Sequence, residues 1–199
     1  MADPKINSIL DEGNRLFLQG KFQQAIVYYD KILDEDPKHI SSLNNKGYAL
    51  SKLKDFTNAV KCYNLALEIY PDDLSVLINK ISSFRKQGSL IEALSICNNI
   101  LKNNLNYNVV LYHKERILFS MNKFDESISC CNLILADYPD NADVLFDKAS
   151  NFAMLSNFDD ALNSLEHAIS QEIQYKVKAK KSKSFENLSD NIRFQNLIS

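Results

Sequence analysis

The sequence predicts an all-α chain: a right-handed α-solenoid of five helical hairpins, closed at its C-terminal end by a helical cap. Three observations carry this. The same chemistry returns every 34 residues, so that Lys46-Gly47, Phe56, Ala59-Val60, Tyr63, Ala66-Leu67 and Pro71 follow Glu12-Gly13, Phe22, Ala25-Ile26, Tyr29, Ile32-Leu33 and Pro37. Within each period, apolar or small residues recur at i, i+4 and i+7, which is one stripe of a helix. Turn formers and prolines fall between the stripes, where helices stop. One helical hairpin cannot bury its own apolar face, but stacked neighbours cover it, so a period of this length means an array.

The elements follow in order, over units 6–39, 40–73, 74–107, 108–141 and 142–175. The first helix of each unit carries a stripe: Ile9, Gly13, Leu16; Leu43, Gly47, Leu50; Leu77, Ile81, Phe84; Leu111, Glu115, Leu118; Leu145, Ala149, Phe152. Asp3-Pro4 fits an N-cap followed by a first-turn proline. Turns follow at Gly20-Lys21, Lys54-Asp55, Gly88-Ser89, Asn122-Lys123 and Ser156-Asn157. Each second helix opens on an aromatic residue or Leu, and Pro37, Pro71, Leu105, Pro139 and Ile173 close the units. Units three and four depart at the small position (Ile81, Glu115), and Ser127 replaces the usual Ala. Glu115 should shift the register or find a partner near Lys114 or Arg116. The unbroken register favours one elongated unit.

Residues 176–199 read as capping helices, because the open end of an array needs a cover with a polar outer face. Phe185, Leu188, Phe194 and Leu197 are expected against Leu162, Leu165 and Ile169 of the last second helix. Lys176, Lys178, Lys180, Lys181 and Lys183 read as a solvated helix face, with an acidic partner as the sharper alternative.

Composition narrows the function. The 199 residues are 45% hydrophobic and 24% charged, with a net charge of −2, which gives no general pull toward nucleic acid. No signal-peptide core opens the chain and no apolar run suits a membrane span, so a cytoplasmic location is expected. Cys62, Cys97, Cys130 and Cys131 all fall in second helices and read as reduced core thiols. Cys130 and Cys131 are sequence neighbours on different helix faces, so one core position is expected between them. No nucleophile elbow, phosphate loop or metal-ligand spacing occurs, so neither enzyme activity nor a cofactor or metal is expected.

At the 34-residue motif the chain resembles tetratricopeptide-repeat proteins, most closely over Asn45-Lys46-Gly47 and Ala66-Leu67-Glu68-Ile69-Tyr70-Pro71. The resemblance implies a non-enzymatic scaffold that holds a partner's peptide or helix in a concave groove of stacked first helices. Repeat positions two, five, six, nine, twelve and thirteen share a sector of about 120° at 100° per residue. The candidate groove residues there are Leu10, Asn14, Phe17, Asn45, Tyr48, Ile78, Asn79, Arg85, Tyr112, His113, Arg116, Phe119 and Phe146. An apolar row edged by polar groups marks a binding surface.

The family's carboxylate clamp for acidic chaperone tails is absent. Its places hold Leu10, Asn14, Asn45, Ser75 and Asn79, without the three cations that charge-assisted recognition needs. One unit later they hold Asn44, Tyr48, Asn79, Val109 and His113. The recurring Lys46, Lys80, Lys114 and Lys148 border the buried stripe, where a long stem covers apolar surface. A protein partner is expected. Self-association through the ends and an accessory role in an enzyme complex remain open, and nucleic acid is the least favoured partner.

Overall fold

A computed structural model describes residues 4–103 and 107–199. Asp3 and Leu105, expected to cap and to close a helix, lie outside the described residues. The fold is an all-α helical-repeat solenoid, and no strand occurs among the described residues. Its hairpins are α1 (Pro4–Leu18) with α2 (Phe22–Glu35), and α3 (Ile40–Lys52) with α4 (Phe56–Ile69). Then come α5 (Leu74–Gln87) and α6 (Leu90–Asn103), α7 (Asn108–Ser120) and α8 (Phe124–Asp137), and α9 (Ala142–Met154) and α10 (Phe158–Gln171). A segment of α11 (Gln174–Lys181), a 3-10 turn (Lys183–Leu188) and α12 (Ile192–Ile198) follows. Residues 1–96 form one compact unit and 97–199 another, divided within α6.

The local chemistry explains the boundaries. The second helices begin at Phe22, Phe56, Leu90, Phe124 and Phe158, in strict register. Side chains cap several helix starts. His39 Nδ1 accepts from Ser42 N (3.3 Å), Asp73 Oδ1 from Ser75 N (2.9 Å) and Val76 N (3.1 Å), and Asn141 Oδ1 from Val144 N (3.1 Å). Each hairpin turn places one residue in the left-handed region: Gly20 (φ 75°), Lys54 (66°), Gly88 (89°), Asn122 (58°) and Ser156 (62°). Lys54 bears a steric cost there that glycine escapes. Lys54→Gly is expected to stabilise the 1–96 unit by about 1 kcal/mol or slightly less, since glycine's greater unfolded freedom offsets part of the gain. Urea unfolding followed by far-UV circular dichroism measures it.

The hairpin crossing depends on paired sizes. Gly13 and Gly47 lie under the buried rings of Tyr29 and Tyr63. A Cβ added at Gly47 would lie 2.6 Å from Tyr63 Cε1, 2.9 Å from Cζ and 3.0 Å from Cδ1. Tyr63 is fully buried and has nowhere to swing. Gly47→Ala is therefore expected to cost about 1–3 kcal/mol, the usual range for overpacking, read as a lower urea midpoint. In the hairpin of α7 and α8 the sizes are exchanged. Glu115 stands at the glycine position and Cys131 at the tyrosine position.

The core thiols differ from expectation in one respect. Both Cys130 (4% exposed) and Cys131 (0%) are buried, because α8 packs against α7 on one side and α9 on the other. Burial raises every thiol, Cys130 to about 11 and Cys97 to about 12, which keeps them protonated and inert.

The C-terminal segment buries Phe185, Leu188 and Phe194, with Leu197 only half-buried. These join Leu162, Leu165 and Ile169 in one cluster, but the segment also lies on the first helix of its hairpin. Phe185 meets Phe146 of α9 edge-on at 5.6 Å and Phe194 at 5.8 Å. The cover thus straddles both helices rather than α10 alone.

Candidate peptide-binding face

In the 1–96 unit, α1, α3 and α5 are stacked neighbours, and their shared face is held by side-chain amides. Asn14 Oδ1 accepts from Asn45 Nδ2 (2.9 Å) and from the Tyr29 hydroxyl (3.1 Å). Burial lifts Tyr29 to about 12, so the hydroxyl remains a donor at neutral pH. One helix further, Asn79 Nδ2 donates to Asn44 Oδ1 (3.0 Å). Ser83 donates to Ser51 (3.1 Å), and both are buried.

Aromatic rings sit beside the amides. Phe17 stacks on Tyr48 with centroids 5.0 Å apart and meets Phe22 at 5.1 Å. Leu18 beside it is 85% exposed and Tyr48 is 37% exposed. Asn14, Phe17, Leu18, Tyr29, Asn45 and Tyr48 line an open notch of about 250 Å³. Leu10, Ile78 and Arg85 are half-buried on the same helices, Leu10 against the cluster of Leu16, Ala25 and Tyr29.

In the 97–199 unit charge replaces the amides. Arg116 pairs with Asp147 across α7 and α9 at 3.1 Å and lies 4.3 Å from the Tyr112 ring centroid. His113 is half-buried, its ring 6.5 Å edge-on from Tyr112, and Phe119 meets Phe124 at 5.5 Å. Phe146 does not belong to an open face, because it is 4% exposed beneath the C-terminal segment. Tyr175 packs on it at 5.2 Å, and the Lys178 ammonium lies 4.4 Å above its ring. The Tyr175 hydroxyl donates to Asp143 (2.7 Å), with Lys178 3.5 Å from the same carboxylate. Lys176 donates to the Ser199 carbonyl (3.0 Å), so two lysines of the expected solvated row are engaged.

Beneath this face Glu115 is 2% exposed and finds different partners from those expected. Ser127 Oγ lies 3.1 Å from its Oε1 and Asn151 Nδ2 lies 3.4 Å from it, while Oε2 has no hydrogen-bond partner. Burial first, then the Asp147 carboxylate, raises Glu115 to about 7 against the opposing help of Ser127, Arg116 and Asn151. Burial also raises Asp147, opposed by Arg116.

Sequence reasoning placed Asn14, Asn45 and Arg116 on the face but missed their pairing. Asn14–Asn45 and Arg116–Asp147 are each 31 residues apart, and Asn44–Asn79 is 35 apart. That offset, set by stacking successive first helices, was the available signal. The half-buried lysines at the recurring position behave as the stem-over-surface reading requires. Lys80 and Lys148 lie over Phe84 (5.8 Å) and Phe152 (5.7 Å), and Lys46 pairs with Asp30 (2.5 Å).

The family model for the tetratricopeptide repeat matches residues 40–73. No curated protein matches the chain in sequence. Its fold is similar to that of YrrB, described as a TPR protein with an unusual peptide-binding site, at 19% identity over 87% of this chain and 91% of that one, with TM-score 0.70. It is similar also to MamA, at 18% identity over 89% and 95% of the two chains, TM-score 0.73. The MamA RS-1 ArsTM double mutant superposes with TM-score 0.78 at 13% identity, covering 87% and 98%. No helix among the described residues is long and apolar enough to cross a membrane. The chain thus contains a tetratricopeptide repeat matched in sequence at 40–73 and shares the helical-repeat fold of these structures.

Proposed function

We propose that the protein is a non-enzymatic cytoplasmic scaffold that holds an extended segment of a protein partner on the face formed by α1, α3 and α5. The observation that carries this reading is the notch itself, where exposed Leu18 and Tyr48 stand beside an amide pair already fixed by Tyr29. Large apolar groups left in water next to ordered polar groups are what a binding face needs. YrrB, described with a peptide-binding site, offers a precedent on a similar fold.

Capture with the purified chain as bait tests this through two variants. Tyr48→Ala removes an aromatic wall of the notch, whereas Leu65→Ser changes a 48% exposed residue on α4, away from it. A partner retained by Leu65→Ser and lost by Tyr48→Ala is the expected result. A partner held equally by both variants places binding elsewhere and contradicts the reading.

A further inference from the structure

The outer face of α11 carries chemistry that the fold does not use. Tyr175 and Ala179 are buried, each 2% exposed, and they fix the inward side of this helix. At about 100° per residue, Val177 lies opposite their midpoint, and Ile173, Lys180 and Lys181 fall within about 60° of it. Ile173 is 69% exposed and Val177 53%. The two stand one turn apart in the middle of the solvent sector, where a cap needs polar groups.

The charge around them has one sign. No acidic residue occurs from Ile173 to Phe185, whereas five lysines do. Two of these are engaged by the fold: Lys176 by the Ser199 carbonyl, and Lys178 by Asp143 and the Phe146 ring. Lys180, Lys181 and Lys183 are exposed, and no side-chain hydrogen bond or ion pair holds them among the described residues. Attraction to the last carbonyls of α11 accounts for Lys180 and Lys181. It gives no role to Lys183, beyond the helix, or to the two bare aliphatic side chains. The whole chain carries a net charge of −2, so any pull on an anion is local to this segment.

Cations flanking exposed aliphatic groups on one helix face suit the boundary of an anionic bilayer. There the ammonium groups meet phosphates and carboxylates while aliphatic side chains reach the acyl edge. A nucleic acid or an acidic peptide neutralises the lysines but offers Ile173 and Val177 no apolar medium. The face is also preformed, since the Tyr175 hydroxyl holds α11 to Asp143 (2.7 Å), and no folding has to accompany binding.

We propose that the outer face of α11 is a peripheral membrane-binding surface, where Lys180, Lys181 and Lys183 meet the headgroups of an anionic bilayer and Ile173 and Val177 enter its acyl boundary. This surface belongs to the 97–199 unit and does not depend on the peptide-binding reading of α1, α3 and α5.

Co-sedimentation of the full chain with vesicles tests it, using phosphatidylcholine alone and phosphatidylcholine with one-third phosphatidylserine. Phosphatidylserine should tighten binding by about a hundredfold, near fivefold for each of the three unengaged lysines. Raised salt should weaken it. Lys180→Gln, Lys181→Gln and Lys183→Gln together should remove that gain. Lys21→Gln, Lys38→Gln and Lys86→Gln together take the same charge from exposed positions in the 1–96 unit and should keep it. Ile173→Ser with Val177→Ser leaves every charge in place and should weaken binding by about tenfold. Equal sedimentation with both vesicle types, or none with either, overturns the proposal, as does a phosphatidylserine gain that survives the three α11-segment lysine changes. Anisotropy of the same chain with labelled octaglutamate and single-stranded RNA separates the other occupants. Vesicle binding that ignores the Ile173 and Val177 changes, or octaglutamate or RNA bound as tightly as the vesicles, marks a general polyanion site and overturns the assignment to a bilayer.

Discussion

Glu115→Gln is expected to stabilise the 97–199 unit at pH 8 and to leave it nearly unchanged at pH 4. The carboxyl is 2% exposed, one oxygen lacks a partner, and its folded-state value is about 7 against an ordinary 4.5. The folded state therefore binds a proton more tightly than the unfolded chain. Stability is highest below about 4.5, falls as pH rises toward 7, and is flat above that. The full cost of ionised Glu115 is about 3 kcal/mol. Gln keeps the shape, stays neutral, and its Oε1 can still accept from Ser127 and Asn151. A shallower slope should survive in the variant, because Asp147 is raised in the same direction. Hydrogen exchange of α7 and α9 amides at pH 4 and pH 8 measures it, and equal protection in wild type and variant at pH 8 would contradict it.

Phe185→Ala should destabilise the same unit by about 3–5 kcal/mol, the usual cost of emptying a buried aromatic site. Phe185 is 2% exposed and touches Phe146 on one side and Phe194 on the other, so its loss uncovers both. In a repeat array stability is roughly a sum over neighbours, so the damage should concentrate in α9 to α12. Protection in α1 to α4 should be unchanged. Leu197→Ala should cost less, since Leu197 is only half-buried. Uniform loss of protection across α1 to α12 in Phe185→Ala would mean that the segment does more than cover an end.

Most of the helical framework was legible because each hairpin solves one packing problem with the same residue types. Phe22, Phe56, Phe124 and Phe158 all open second helices where the period put them. What broke the period was harder to read. Glu115 could be flagged as odd, but its partners Ser127 and Asn151 lie 12 and 36 residues away and are chosen by side-chain geometry. Ser127 was visible only as a departure from Ala, although it supplies the hydroxyl that Glu115 needs. Phe146 looked like a groove residue because its repeat position faces inward. Tyr175, Lys178 and Phe185, which follow no repeat, decide that it is covered. In the 1–96 unit the candidate face was half legible. Its residues were found by periodicity, whereas the Tyr29 hydroxyl reaching Asn14 from a second helix was not.

The most direct measurement is a titration of the 15N-labelled chain with the segment of a captured partner, followed through side-chain amide and backbone resonances. The account predicts that the Asn14 and Asn45 side-chain amides and the Tyr48 backbone amide shift together and saturate at one affinity. Shifts confined to the exposed faces of α2 and α4, with Asn14 and Asn45 unmoved at saturation, would contradict it.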